Sequence, residues 1–522
     1  MQGSTKPLKS ESNNIRDELA VVLGSEAFSK SKRNRELLNY LVEESLAGHA
    51  DRLKGYRVAI DVFNKSADFD AQNNPLVRNQ MVRLRRVLDY YYLTEGIDAP
   101  IRIQFIKGKY APRIEYVSET STSTGESTAK DVRPTLLITP FLCHGENREQ
   151  LHFTAGLTQE LMAALSRFGY LQIIATESST VVQFSGDNCY ILRGICRQYA
   201  KRIRVNFELT EQQTGHCLWA EQFECNLDVE DIFDLQDRIT REVASKVADH
   251  YGEISHRMTL DLKAQSPDSM SAYEAVLVFY YYELDLKQSL LPQVIDNLRL
   301  ATYEEPDNAL AWAALAEATA DSFVHGYCAD LPLLDQSKQY GDRAVSLDPR
   351  CQHAYWSRVL GYHLSSRPGD EAVVESALET LVEINPNSVG FVCGAGLVYC
   401  LRGRWQYGLS LIRQFNDHQT RAPRWINLAE QLFEYLEGNF QHSLNLNKQM
   451  KTEMVPWDCL LPLLCLWNLN HLEEAVEAYR RMLDEHFALA GDGGLTNYIK
   501  SFVKDSDARA TILSSLEAVS TV

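Results

Sequence analysis

PLVRNQMVRLRRVLDYYYL, residues 75–93, followed by IRIQFIKGKYAPRI, residues 101–114, decides how the front of this chain folds. At helical pitch Val77, Met81, Leu84, Leu88 and Tyr91 or Tyr92 recur three or four residues apart, so they form one stripe to be buried. Asn79, Arg83 and Arg86 line another face, with Arg78 and Arg85 beside them. In the second segment Ile101, Ile103 and Phe105 alternate as one face of a strand, and Lys107, Gly108 and Lys109 supply a turn into a second strand. Toward the N-terminus, helical patterns run at about residues 15–24 and 32–46, with a short one at 56–63.

This front end differs in charge from the rest. Between residues 75 and 116, Arg78, Arg83, Arg85, Arg86, Arg102, Lys107, Lys109 and Arg113 stand against Asp89, Glu95, Asp98 and Glu115, a balance of +4 in a chain of net charge −18. A polyanion is drawn to this region and repelled by the remainder. Three helices followed by a two-stranded wing make a winged helix, whose third helix can enter a major groove while the wing touches backbone phosphate. The expected partner is therefore double-stranded DNA, contacted by Arg78, Asn79, Arg83, Arg85, Arg86, Lys107 and Lys109. The same arginines also suit a solvated helix face, or an internal dock for the acidic remainder.

VRLRRVL followed by IRIQFIKGKYAPRI resembles the C-terminal half of the OmpR/PhoB-type winged-helix DNA-binding domain, in which a Leu-Arg-Arg-x-Leu helix precedes a hairpin with a glycine-aromatic pair. Gly108 and Tyr110 represent that pair here, with Lys109 between them. The earlier part, FSKSKRNRELLNYLVEESLAGHADRLKGYRVAIDVFNK, is similar to the module found in front of tetratricopeptide repeats in proteobacterial cyclase-like regulators. The resemblance covers about residues 15–116 and implies a bacterial regulator. It departs from response regulators in lacking a phospho-acceptor receiver domain.

Size and composition frame the rest. A chain of 522 residues is too long for one core, and a hydrophobic content of 45% is ordinary for folded domains. The start, MQGSTKPLKSESNN, has no apolar signal region, and the longest apolar run, near residues 460–467, is far short of a membrane span, so a cytoplasmic protein without a membrane partner is expected. Eleven cysteines lie scattered without a C-x-x-C pair and are expected to be reduced, mostly buried thiols. Residues 1–14 are expected to form a disordered tail and the Ser/Thr-rich stretch 117–132 a linker.

After the linker the pattern mixes strands and helices: TLLITPF, helix GLTQELMAALSRF, LQIIA, then YILRGICRQ, RIRVNFELTE and CLWAEQFE, with QTGH as a turn and a closing helix over about 229–249. ITPFL, GHCLWAEQFE and DIFDLQDRITREVA resemble the α/β domain related to the N-terminal part of TolB, placed at 133–255. From 266 to 522 nearly everything reads as helix pairs. Pro306, Pro349, Pro386, Pro423 and Pro456 are spaced by 43, 37, 37 and 33 residues, near the 34-residue tetratricopeptide period. EEPDNALAWAALAEA, LDPRCQHAYWSRVLGY and INPNSVGFVCGAGLVY resemble tetratricopeptide repeats, with Trp312, Tyr355 and Val392 at equivalent core positions. Such an array stacks into a curved solenoid whose concave groove takes a protein or peptide.

The chain lacks a phosphate-binding G-x-x-x-x-G-K-[ST] loop, a G-x-G-x-x-G turn, H-E-x-x-H and G-x-S-x-G, which argues against the common hydrolase, kinase and dehydrogenase classes. The run Asp228, Glu230, Asp231, Asp234 and Asp237 reads as an acidic helix N-terminus rather than a cation site. Cys143-His144 and His216-Cys217 are adjacent pairs, not spaced chelates, and Cys143 near His152 reads as a packed thiol. Neither catalytic, metal nor cofactor residues are assigned. The expected fold is multidomain α+β, comprising a winged helix, a small α/β domain and an all-α tetratricopeptide solenoid. The expected function is a non-enzymatic bacterial transcriptional regulator; a protein-docking scaffold and a nucleotide-cyclase-related signalling enzyme are the alternatives. The operator, the array's ligand and the oligomeric state are not set by the sequence.

Overall fold

The computed structural model describes residues 9–521 apart from 66–76, most of 78–100, 106–109, 117–132, 144–147, 177–187, 227–230, 263–269, 327–330, 416–423, 451–454, 490–493 and scattered single or paired positions. It is a multidomain α+β protein that divides into two compact units, Met1–Ala129 and Lys130–Val522.

In the first unit, helices Lys9–Gly24, Lys32–Leu46 and Gly55–Asp61 precede described helical residues between Val77 and Tyr91 and then an antiparallel hairpin, β1 (Ile101–Phe105) with β2 (Pro112–Tyr116). The Lys32–Leu46 helix is started by Ser31, whose hydroxyl accepts the Asn34 N–H at 3.3 Å. It turns Leu37, Leu38, Leu41 and Val42 into the core, the 3.6-residue stripe its sequence specifies. The first helix opens at Lys9, inside the stretch expected to be a disordered tail. KSESNN is polar but contains no helix breaker, and the helix runs on to bury Ile15 and Leu19.

The second unit begins with a six-stranded mixed sheet in the order β5-β3-β6-β7-β8, with β4 also pairing β6. Its strands are β3 (Thr135–Ile138), β4 (Leu142–Cys143), β5 (Gln172–Ala175), β6 (Cys189–Tyr199), β7 (Arg202–Glu211) and β8 (Cys217–Asn226). β3 pairs in parallel with β5 and β6, which requires the crossover helix Arg148–Ser166, while β6, β7 and β8 form an antiparallel meander. Gly215, at φ +71°, turns β7 into β8, a conformation that glycine adopts without a Cβ clash. Helix Ile232–Ala248 begins at Asp231, whose carboxylate accepts the Phe233 N–H at 2.8 Å, so Asp231 of the acidic run caps a helix.

From Ala309 to Glu485 the helices come in consecutive packed pairs: Ala309–Val324 with Leu331–Leu347, Gln352–Ser365 with Asp370–Ile384, Val389–Leu401 with Trp405–Arg413, Leu428–Leu436 with Phe440–Met450, and Pro456–Asn468 with Leu472–Glu485. Helices begin three residues after Pro306, Pro349 and Pro386, as expected of a residue that cannot continue a helix, whereas Pro456 is itself the first residue of its helix. Val389–Leu401 and Trp405–Arg413 cross very closely. A Cβ on Gly408 would lie 2.4 Å from the Gly396 carbonyl oxygen, so only glycine fits.

Two features depart from an open solenoid. One hydrophobic core runs from the sheet through helices Ile232–Ala248 and Ala272–Asp285 into Ala309–Val324, so sheet and array share an interior. The last two helices, Gly494–Phe502 and Ser506–Ser520, fold back across the array. Tyr498 donates its hydroxyl to the Val324 carbonyl at 2.6 Å, the His363 ring lies 2.8 Å from the Phe502 carbonyl, and the Trp405 indole donates to Asp505 at 3.0 Å. Helices Ala309–Val324 and Val389–Leu401 are buried on nearly every face, so no open groove runs along them, in contrast to the sequence expectation.

Trp312 and Tyr355 are also placed differently from expectation. Both are half-buried at the edge of the core, with the Trp312 indole held by the Pro306 carbonyl at 2.9 Å, while Trp457 is fully enclosed. We therefore expect Trp457→Ala to cost about 3–5 kcal/mol and Trp312→Ala distinctly less, measured as the shift in denaturant midpoint of the full chain.

Candidate nucleic-acid interface and a buried polar cluster

The basic segment of the first unit is fixed from below by its apolar stripe. Val77, Met81, Leu84, Leu88 and Tyr91 are all buried, and they pack with Ile103 and Phe105 of β1 in a single cluster. A buried polar pair sets its attachment: Gln80 Nε2 donates to Asn34 Oδ1 at 2.6 Å, tying it to helix Lys32–Leu46. Tyr110, after the hairpin turn, lies against Gly55, where a Cβ would stand 2.8 Å from its hydroxyl oxygen.

Of the residues expected to touch DNA, Arg85 is described: it is half-buried, and its Nε donates to the Met81 carbonyl at 3.3 Å, one turn back on its own helix. Arg78, Asn79, Arg83, Arg86, Lys107 and Lys109 lie outside the described residues. Arg113, on β2, is exposed. Leu84→Ala, which empties a fully buried position, is expected to destabilise the first unit by about 2–5 kcal/mol in thermal or denaturant unfolding, because the surrounding helices can only partly collapse.

The second unit holds a concentration of buried titratable groups. Helix Ala309–Val324 is apolar almost all round yet carries Glu317 and Asp321, four residues apart on one face. Glu317 faces helix Gln352–Ser365, where its Oε2 lies 2.6 Å from His353 Nε2 and its other oxygen accepts the Trp356 indole N–H. His353 Nδ1 is 2.9 Å from the Tyr280 hydroxyl. Beside them Tyr251 donates to Glu283 at 2.6 Å, and Tyr282 meets His325 at 2.8 Å. Asp249 accepts from the Ser388 hydroxyl at 3.0 Å and the Val389 N–H at 2.9 Å, and the His250 ring stacks on Phe391 with centroids 4.5 Å apart.

Burial decides the protonation of this cluster. It pushes Glu317 up to about 8, opposed by the Trp356 hydrogen bond, and it holds His353 down to about 3. Glu283 and Asp321 are raised well above the carboxylate range by burial and by neighbouring acids. The neutral arrangement is self-consistent. Protonated Glu317 donates to His353 Nε2, whose Nδ1–H then donates to Tyr280, so this relay of three side chains carries no charge.

Sequence reasoning missed this cluster because its members come from distant segments, as Asp249 and Val389, 140 residues apart, do. The available signal was Glu317 and Asp321 inside the alanine-rich stretch ALAWAALAEATADSF, two acids where a wholly buried helix should carry none. Cys143, by contrast, is engaged as expected of a packed thiol: its sulfur lies 3.1 Å from the Thr154 hydroxyl. Among the described cysteines most are buried and Cys217 is exposed. No described helix is long and apolar enough to cross a membrane.

No protein-family model matches the chain. Among curated proteins it is similar to a putative adenylate cyclase 3 of Rhizobium meliloti (strain 1021), with 27% identity over 165 residues; that alignment covers 30% of this chain and 27% of the relative.

Proposed function

We propose that this chain is a non-enzymatic bacterial transcriptional regulator whose first unit is a winged helix that binds double-stranded DNA, and whose second unit couples a TolB N-terminal-like α/β domain to a tetratricopeptide-type array that takes a protein or peptide partner. The observation that carries this reading is the buried stripe from Val77 to Tyr91 packed on the hairpin. With that face fixed inward, the helical spacing assigns Arg83 and Arg86 to other faces, and the balance of +4 over residues 75–116 gives a polyanion its one favourable approach. The covered inner helices leave the array's partner its outer and edge surfaces. Similarity to a protein named as a putative adenylate cyclase supports a signalling setting and extends over a minor part of that protein.

The test compares the full chain with the compact fragment Met1–Ala129 in a genomic-fragment selection followed by filter binding over a salt series. The fragment should bind at least as tightly as the full chain at low salt, because the acidic remainder is repelled by DNA, and affinity should fall steeply as salt rises. Binding by neither protein, together with capture of a protein partner through residues 1–129, would favour the docking-scaffold reading instead.

A further inference from the structure

Where helix Leu472–Glu485 ends, three metal-ligand side chains meet. Cys459, from the first turn of helix Pro456–Asn468, converges with Glu485 and His486, and their ligand atoms all lie within 4.8 Å of one another. His486 is 4% exposed, and neither of its ring nitrogens has a hydrogen-bond partner of normal geometry among the described residues, although the backbone of His325 runs alongside. A buried imidazole left in that state is uncommon in a folded interior, where polar groups are paired or hold an ion. Its surroundings are closed on one side: a Cβ on Gly326 would lie 2.8 Å from Pro456 and 3.3 Å from His486 Nδ1, so the turn after helix Ala309–Val324 presses directly on this corner. Cys459 is buried and in no disulfide. Glu485 is exposed and makes a loose ion pair with Arg481, at 4.0 Å.

We infer that Cys459, Glu485 and His486 form a binding site for a single divalent zinc ion. The donor set decides the metal. A thiolate, an imidazole and a carboxylate together suit zinc, whereas the hard cations calcium and magnesium take oxygen ligands alone. In tetrahedral zinc coordination the ligand atoms stand about 3.3–3.8 Å apart, from bond lengths of about 2.0–2.3 Å. The trio therefore needs to close by roughly 1 Å, and the exposed Glu485 side chain is free of core packing to make that movement. Binding displaces the Cys459 thiol proton to solvent and leaves the imidazole neutral, and three protein ligands leave the fourth position open to water or an outside donor.

The experiment uses the full chain with Cys217→Ser, which removes the exposed thiol as a competing ligand. After chelator treatment and dialysis, zinc is titrated in competition with a chromophoric chelator. We expect about one zinc per chain, with affinity reduced about tenfold by Glu485→Gln and at least about a hundredfold by His486→Gln or Cys459→Ser. Should the two buried variants fail to fold, Glu485→Gln still decides the affinity. Cobalt substitution gives a separate readout: a thiolate-to-cobalt charge-transfer band should appear in the parent and persist in Cys465→Ser. Absence of stoichiometric zinc binding, affinity unchanged by Glu485→Gln, or a cobalt complex without the thiolate band would each overturn the site.

Discussion

Replacing Arg83 and Arg86 together by Glu is expected to abolish DNA binding while leaving the unfolding of the chain unchanged. Helical spacing sets both off the stripe of Val77, Met81, Leu84, Leu88 and Tyr91 that the core encloses, so neither substitution alters that buried row. Each lost base contact is worth about 1–3 kcal/mol, and reversing the charge adds repulsion from phosphate to that loss. The measurement is filter binding at low and moderate salt, alongside a thermal melt of the same protein. Unchanged affinity at low salt would remove the recognition role from this helix. Leu84→Ala gives the opposite signature, since it should lower stability first and affect DNA only through unfolding.

The second large effect concerns pH. In the unfolded chain Glu317 releases its proton near pH 4.5, whereas in the folded chain it holds the proton up to about 8. Its contribution to stability is therefore complete below the lower value and is lost as pH rises through the upper one, amounting to about a few kcal/mol in the limit. His353 and His325, held down to about 3, act oppositely: their contribution is complete above about pH 6.5 and is lost as pH falls toward 3. Between about pH 6.5 and 8 the histidines no longer contribute a slope, so Glu317 and the other raised acids, Glu283 and Asp321, pull the stability of the second unit down, against an opposing rise from Lys504, which burial lowers to about 7. Glu317→Gln keeps an acceptor for Trp356 and a donor for His353 and has no proton to lose. Denaturant midpoints across this window should decline less in the variant than in the parent. Equal slopes would place the titration elsewhere.

Much of the architecture could be read from local pattern. The alternation in RIRVNFELTE and CLWAEQFE, with QTGH between, predicts the two strands that pair from Arg202 to Asn226, because a period of two has one meaning on a pleated surface. The stripe from Val77 to Tyr91 is legible for the same reason at a period of 3.6. What was not legible depends on distant chain segments meeting. Nothing near Glu317 in sequence announces His353, and nothing near Cys459 announces Glu485 and His486. Trp312 illustrates a subtler limit. Helical phase puts it on the packed side of its repeat, but whether a side chain at that side's margin is enclosed depends on how far the neighbouring helix overlaps it.

The returning C-terminal helices also constrain how this protein can change over evolutionary time. An open repeat array can gain or lose a helix pair at modest cost, since each unit rests only on its neighbours. Here Tyr498 must reach Val324, Phe502 must reach His363, and Asp505 must reach Trp405. Duplicating or deleting one pair between Gln352 and Glu485 would carry those partners out of reach of one another. The number of helix pairs is thus fixed by these returning contacts, so natural variation in length should collect in the connecting loops and not in the count of helix pairs.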